Sequence, residues 1–213
     1  MSWRIVCPPN RFNQLRTDPA FQRLMMAAKI ANAMRFAIVA AMDRNAQGEG
    51  HTTIRTRAGS FFYVSGLVQE TLEFLPRLGK YYSSERAFRE ELAPILRDAS
   101  VDSLRKGALA RLRNQGVFHN DDVVMSNGLQ ALALDEYVLM AGDADLGADV
   151  YFPIADIAMV HHALSTETQG YPLLAEMSDL LDQVATVGTH LCKGIDSLFS
   201  DVVMALGCSY HRE

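Results

Sequence analysis

Apolar residues recur along most of this chain at spacings of three and four, the period of an α-helix with one buried face. The first such run carries Phe21, Leu24, Met25, Ala28, Met34, Ile38 and Met42. Asp18 followed by Pro19 marks its start, an N-cap with a proline in the first turn, and the pattern predicts a helix to about Asn45. Before it, residues 1–17 hold Pro8 and Pro9 among mixed polar residues and read as an extended lead-in.

A glycine-bearing stretch, residues 46–51, separates this helix from a second long one. The second begins near Thr52 or Thr53 and places Phe62, Leu67, Val68, Leu72, Phe74, Leu75 and Leu78 on its apolar face. Pro76, which lacks an N–H, is expected to kink or end it. Two shorter helices follow: 85–97, capped by Ser83 or Ser84, and one capped by Ser100 that runs through Val101, Leu104, Ala108 and Leu112 towards Gln115. A short helix is expected over 123–134.

Two short β-prone runs, 136–140 and 149–152, flank AGDADLGA and suggest a small hairpin. Pro153 restarts a helix through Ile157 and Leu164. After the turn at 169–172, apolar residues from Leu173 to Val202 describe one last long amphipathic helix. The whole, 1–213, reads as a single mainly α domain, a multi-helix bundle with a small hairpin near 136–152.

Composition changes this picture little. The chain has 213 residues, 49% hydrophobic and 21% charged, enough to build a proper core. Cys7, Cys192 and Cys208 are scattered without CxxC spacing, so neither a disulfide framework nor a zinc knuckle is indicated and a reducing compartment fits. The N-terminus lacks the pattern of a secretory signal, and Lys29, Asn32 and Arg35 interrupt the most apolar stretch, Leu24 to Met42. The expectation is a cytoplasmic protein with no membrane partner.

Charge is more informative locally than globally. The net charge is −5, which argues against a large polyanion-binding surface. Between Ser103 and Asn120, however, Arg105, Lys106, Arg111 and Arg113 occur without one acidic residue. Such an island is either a solvated helix face or a phosphate site. His161 and His162 diverge on a helix and do not chelate one ion, and neither HExxH nor ExxH occurs. Phosphate-loop, dinucleotide and serine-hydrolase motifs are absent. Phe61, Phe62 and Tyr63 are contiguous on a helix and read as core or dimer interface.

The basic island ends in LRNQGVFH, residues 112–119, with a polar residue after the arginine and a histidine six positions from it. This segment resembles the R-x(4-6)-H motif of the HEPN superfamily, whose members are small helical bundles, commonly dimeric, many of them metal-independent ribonucleases in toxin, defence and RNA-processing systems. A second match, Arg44 to His51, lies in a glycine-rich stretch without an apolar anchor and is set aside. The RNxxxFH segment followed by VYFPIAD at 150–156 also resembles a group of bacterial helical proteins to which no activity is attached.

The resemblance implies catalytic roles for Arg113 and His119 with Asn114 assisting, and contact of Arg105, Lys106 and Arg111 with RNA phosphate. It implies no metal and no cofactor. The expected partners are a second copy of the chain, RNA, and a protein partner or inhibitor; the alternative function is a non-catalytic module for dimerisation or for ligand, RNA or protein binding. On residue chemistry alone a plainer reading stays open, with His119 at a helix C-terminus and Arg113 paired to Asp121 or Asp122.

Spacing adds one geometric demand. On an unbroken helix six residues advance about 9 Å and turn through roughly 240°, so Arg113 and His119 would face apart. Either Gly116 breaks the helix or the site combines two chains, which a two-fold dimer achieves by bringing both copies of one segment together.

Overall fold

The computed structural model describes residues 3–42, 51–112, 122–131 and 173–212, together with Met140, Phe152 and Ala158. Among them the protein is mainly helical with one two-stranded antiparallel sheet. Three long helices form its frame: α2 (Pro19–Met42), α3 (His51–Tyr82) and α8 (Leu173–Ala205). Asp18 caps α2 as its sequence position suggests, its Oδ1 accepting from the Ala20 N–H at 2.8 Å.

The apolar rows of these helices interlock. Leu24, Ala27, Ala31 and Met34 from α2, Phe61, Val64, Val68, Leu72 and Leu75 from α3, and Leu191, Ile195 and Leu198 from α8 are all essentially inaccessible to solvent. Small residues on α2 let α8 come close enough for the Cys192 thiol to donate to the Ala31 carbonyl at 3.6 Å. Arg35 of α2 pairs with Asp196 of α8 at the rim of this contact. α2 is also long and apolar enough to cross a bilayer, with mean hydropathy 1.5 and a third of its most apolar window buried.

Pro76 does not end α3. It lies on the exposed side of the helix, while buried Leu75, Leu78 and Tyr82 hold the helix to the core on either side. The expected helix over 85–97 is interrupted: Phe88–Leu92 forms a π-helical turn that runs into α4 (Ala93–Arg97), with the Ala93 N–H bonded to the Phe88 carbonyl. Pro94 follows at once and brings no donor. The wider turn lets both Phe88 and Leu92 face inward. α8 meets it at Gly194, where a Cβ would lie 2.5 Å from Leu92 Cδ2.

The lead-in is not extended throughout. Trp3–Val6 is strand β1 and Pro9–Leu15 is helix α1, begun by Pro9 and anchored by buried Leu15 and the edge-to-face pair Phe12–Phe21. The partner of β1 is β2 (Ser209–Arg212), in the register Trp3↔Arg212 to Val6↔Ser209. The only sheet among the described residues therefore joins the two ends of the chain. Most of 136–152, where the sequence suggests a hairpin, lies outside the described residues, as does the 153–164 helix except for buried Ala158.

Candidate RNA-binding segment

The basic island is carried by two short helices, not by one helix reaching Gln115. Helix α5 (Ala99–Lys106) is capped by Asp98, one position outside the helix, not by Ser100. Its Oδ1 accepts from the Ser100 N–H and Oγ–H at 2.8 and 2.6 Å and from the Val101 N–H at 3.4 Å. These donors hold the Asp98 carboxyl below the usual carboxylate range. At Gly107 the backbone leaves helical geometry, with φ −98° and ψ −107°, and α6 (Ala108–Arg111) starts in a new direction.

Arg105 and Lys106 stand in the last turn of α5, where cations complement the helix dipole. Both reach back to one carboxylate. Arg105 Nη2 lies 2.7 Å from Asp102 Oδ1, and Lys106 Nζ lies 2.6 Å from Asp102 Oδ2. The Lys106 hydrogen bond and then that of Arg105 hold the Asp102 carboxyl below its ordinary value. The trio carries one net positive charge, with Lys106 well exposed and Arg105 about one-third exposed. This pairing was visible in the sequence at spacings of three and four, but Asp102 falls one residue before the acid-free stretch.

Arg111 closes α6, half-buried. Leu109 and Leu112 flank it and are buried in the core, so the polypeptide is pinned at the residue preceding Arg113. Arg113, Asn114 and His119 lie outside the described residues; the chain is described again from α7 (Asp122–Ala131). The structure thus places Arg105, Lys106 and Arg111 on the path leading into the motif and does not describe the motif's own geometry. Of the second R-x(4-6)-H match, residues 44–50 are likewise outside, and His51 opens α3.

The other candidates separate clearly. Phe61 is buried, Phe62 packs on it with ring centroids 5.6 Å apart, and Tyr63 is exposed, so the three do not form a stacking platform. His211 sits on exposed β2, and His161 and His162 are outside the described residues. His190 lines a hollow of about 290 Å³ with Glu91, Pro94, Ile95, Asp98, Val101 and Val187. Two carboxylates in its wall make it repel phosphate, and it lies at the opposite end of α5 from Arg105 and Lys106. Among the described residues no three His, Cys, Asp or Glu side chains cluster as metal ligands.

With this geometry in hand, comparison with known proteins adds no relative: no family model matches the chain, and no curated protein or solved structure matches it.

Proposed function

We propose that this is a HEPN-like protein, a homodimeric, metal-independent endoribonuclease acting in a reducing, cytoplasmic setting. The observation that carries the reading is the RNQGVFH segment entered directly from Leu112, a fully buried anchor, at the end of the basic stretch that holds Arg105, Lys106 and Arg111.

The reaction is transesterification within RNA. The 2′-oxygen attacks the adjacent phosphorus, the bond to the 5′-oxygen breaks, and a 2′,3′-cyclic phosphate and a 5′-hydroxyl result. His119 moves the proton, because an imidazole with an ordinary pKa near 6.5 serves as base or acid at neutral pH. Arg113 sets its planar fork against the phosphate and stabilises the added negative charge of the transition state. Asn114 orients the phosphate or the imidazole. Arg105, Lys106 and Arg111 supply a small electrostatic guide, consistent with an acidic chain that contacts RNA locally. Phe36 and Val39, exposed one turn apart on α2, support a second copy as a partner.

A second reading is a HEPN-like module without catalysis that dimerises or binds RNA or a protein. The neutralisation of Arg105 and Lys106 by Asp102 favours it, since little unpaired charge is left at that point of the surface for phosphate. Incubation of the protein with mixed RNA in EDTA separates the readings. The enzyme cleaves, leaves cyclic phosphate ends, and loses cleavage in His119→Ala and Arg113→Ala variants that fold normally; the module does not cleave at all.

A further inference from the structure

The β1–β2 ladder stops at Val6↔Ser209, and one step further in the same register sets Cys7 opposite Cys208. Directly opposed residues of antiparallel strands have Cα atoms roughly 4.5–5.5 Å apart. A disulfide spans Cα separations of about 4.4–6.8 Å. Both thiols are free.

Each cysteine also has its backbone held from behind. Cys7 precedes Pro8, which confines it to extended geometry, and Pro8 (φ −60°, ψ 143°) leads straight into α1. Cys208 is the third residue past the end of α8 in a Schellman closure. There the Gly207 N–H bonds to the Met204 carbonyl at 3.0 Å and the Cys208 N–H to the Val203 carbonyl at 3.1 Å. Gly207 takes the left-handed conformation, φ +84°, that this closure needs. Arg11 Nε donates to the Leu206 carbonyl at 2.9 Å, tying α1 to the same helix end.

We propose that Cys7 and Cys208 are a redox clasp: reduced in a reducing compartment, and closed by oxidation into a disulfide that joins the two ends of the chain. The side chains already interact, since after burial the Cys7 thiol is the main influence raising the Cys208 thiol above its ordinary value, with the Arg11 charge acting the other way. Cys192, the remaining cysteine, is buried between α2 and α8 and takes no part.

The oxidant is a small disulfide such as oxidised glutathione. Cys7, the more accessible thiol, attacks as the thiolate, forms a mixed disulfide and releases one glutathione thiolate. Cys208, as its thiolate, then attacks the Cys7 sulfur, the second glutathione thiolate leaves, and the two protons lost by the cysteines end on the two glutathiones. Two protein thiols and one small disulfide become one protein disulfide and two small thiols. The clasp acts on a four-residue, largely exposed strand pair, a unit that is marginal on its own. Closing it removes the freedom of the ends to part.

The test uses the full chain equilibrated in glutathione buffers from reducing to oxidising, alkylated and mapped by mass spectrometry. The expected result is one intramolecular Cys7–Cys208 link with Cys192 alkylated, reversed by dithiothreitol. Oxidation should raise the melting temperature by on the order of 5–10 °C. Cys7→Ser and Cys208→Ser should abolish link and shift, and Cys192→Ser should keep both. Persistent reduced thiols in oxidising buffer, stable mixed disulfides at both cysteines, links between chains, or a link through Cys192 would each overturn the proposal.

Discussion

The frame of α2, α3 and α8 and the arm of α5 and α6 are held by different physics. In the frame, whole rows of side chains are inaccessible to solvent, and removing one leaves a cavity that its neighbours cannot fill. In the arm, Val101, Leu109 and Leu112 are the buried anchors, and beyond them the helices rest on the Asp98 cap and the Asp102 ion pairs. The contrast shows how a rigid bundle presents a segment that is fixed where it begins yet governed locally by charge.

Substitution should expose the difference first in the frame. Leu72→Ala empties a fully buried position on α3 and should cost about 3–4 kcal/mol in urea unfolding, with loss of cooperativity across the protein. Gly194→Val drives a side chain against Leu92 and should cost about 1–3 kcal/mol, restored in part by Leu92→Ala. If either is neutral, the close packing of the frame is wrong.

Tyr82, on the frame's edge, has its phenol pushed up to about 12, first by burial and then by Asp18 and Glu85. The unfolded chain ionises this group near pH 10, so the folded state should lose stability as pH rises from there towards 12. Tyr82→Phe should flatten that loss in alkaline denaturation curves. In the arm the effects are smaller and local. Asp98→Ala should speed amide exchange at Ser100 and Val101 while leaving the melting temperature nearly unchanged. The depressed Asp102 carboxyl gives support that is full above the ordinary carboxylate range and fades as pH falls through its lower folded value. In an NMR acid titration Asp102→Asn should remove that fading from α5.

The same contrast explains what could be read in the sequence. The long helices, the Asp18 cap and the last helix follow from local periodicity and capping, which need no distant partner. β1 is not legible in local pattern because its partner lies some 200 residues away, and for the same reason the spacing of three scattered cysteines does not show that the register of β1 and β2 leads to Cys7 and Cys208. Gly107 and the Phe88–Leu92 turn break helices that pattern alone draws as continuous, since both depend on how neighbours must pack. Of the candidate site, Arg105, Lys106 and Arg111 were legible as a basic run, whereas their restraint by Asp102 needed the i, i+3 and i, i+4 neighbours to be weighed with them.

A homodimeric site that joins the arginine of one chain to the histidine of the other, the arrangement the helix spacing asks for unless Gly116 breaks the helix, is tested most directly by mixing inactive Arg113→Ala and His119→Ala proteins, exchanging subunits, and measuring metal-free RNA cleavage. A site built from the arginine of one chain and the histidine of the other survives once in each mixed dimer, so about a quarter of wild-type activity should return. A mixture as inactive as its components, beside an active wild type, would contradict the shared site, and an inactive wild type would contradict the enzyme.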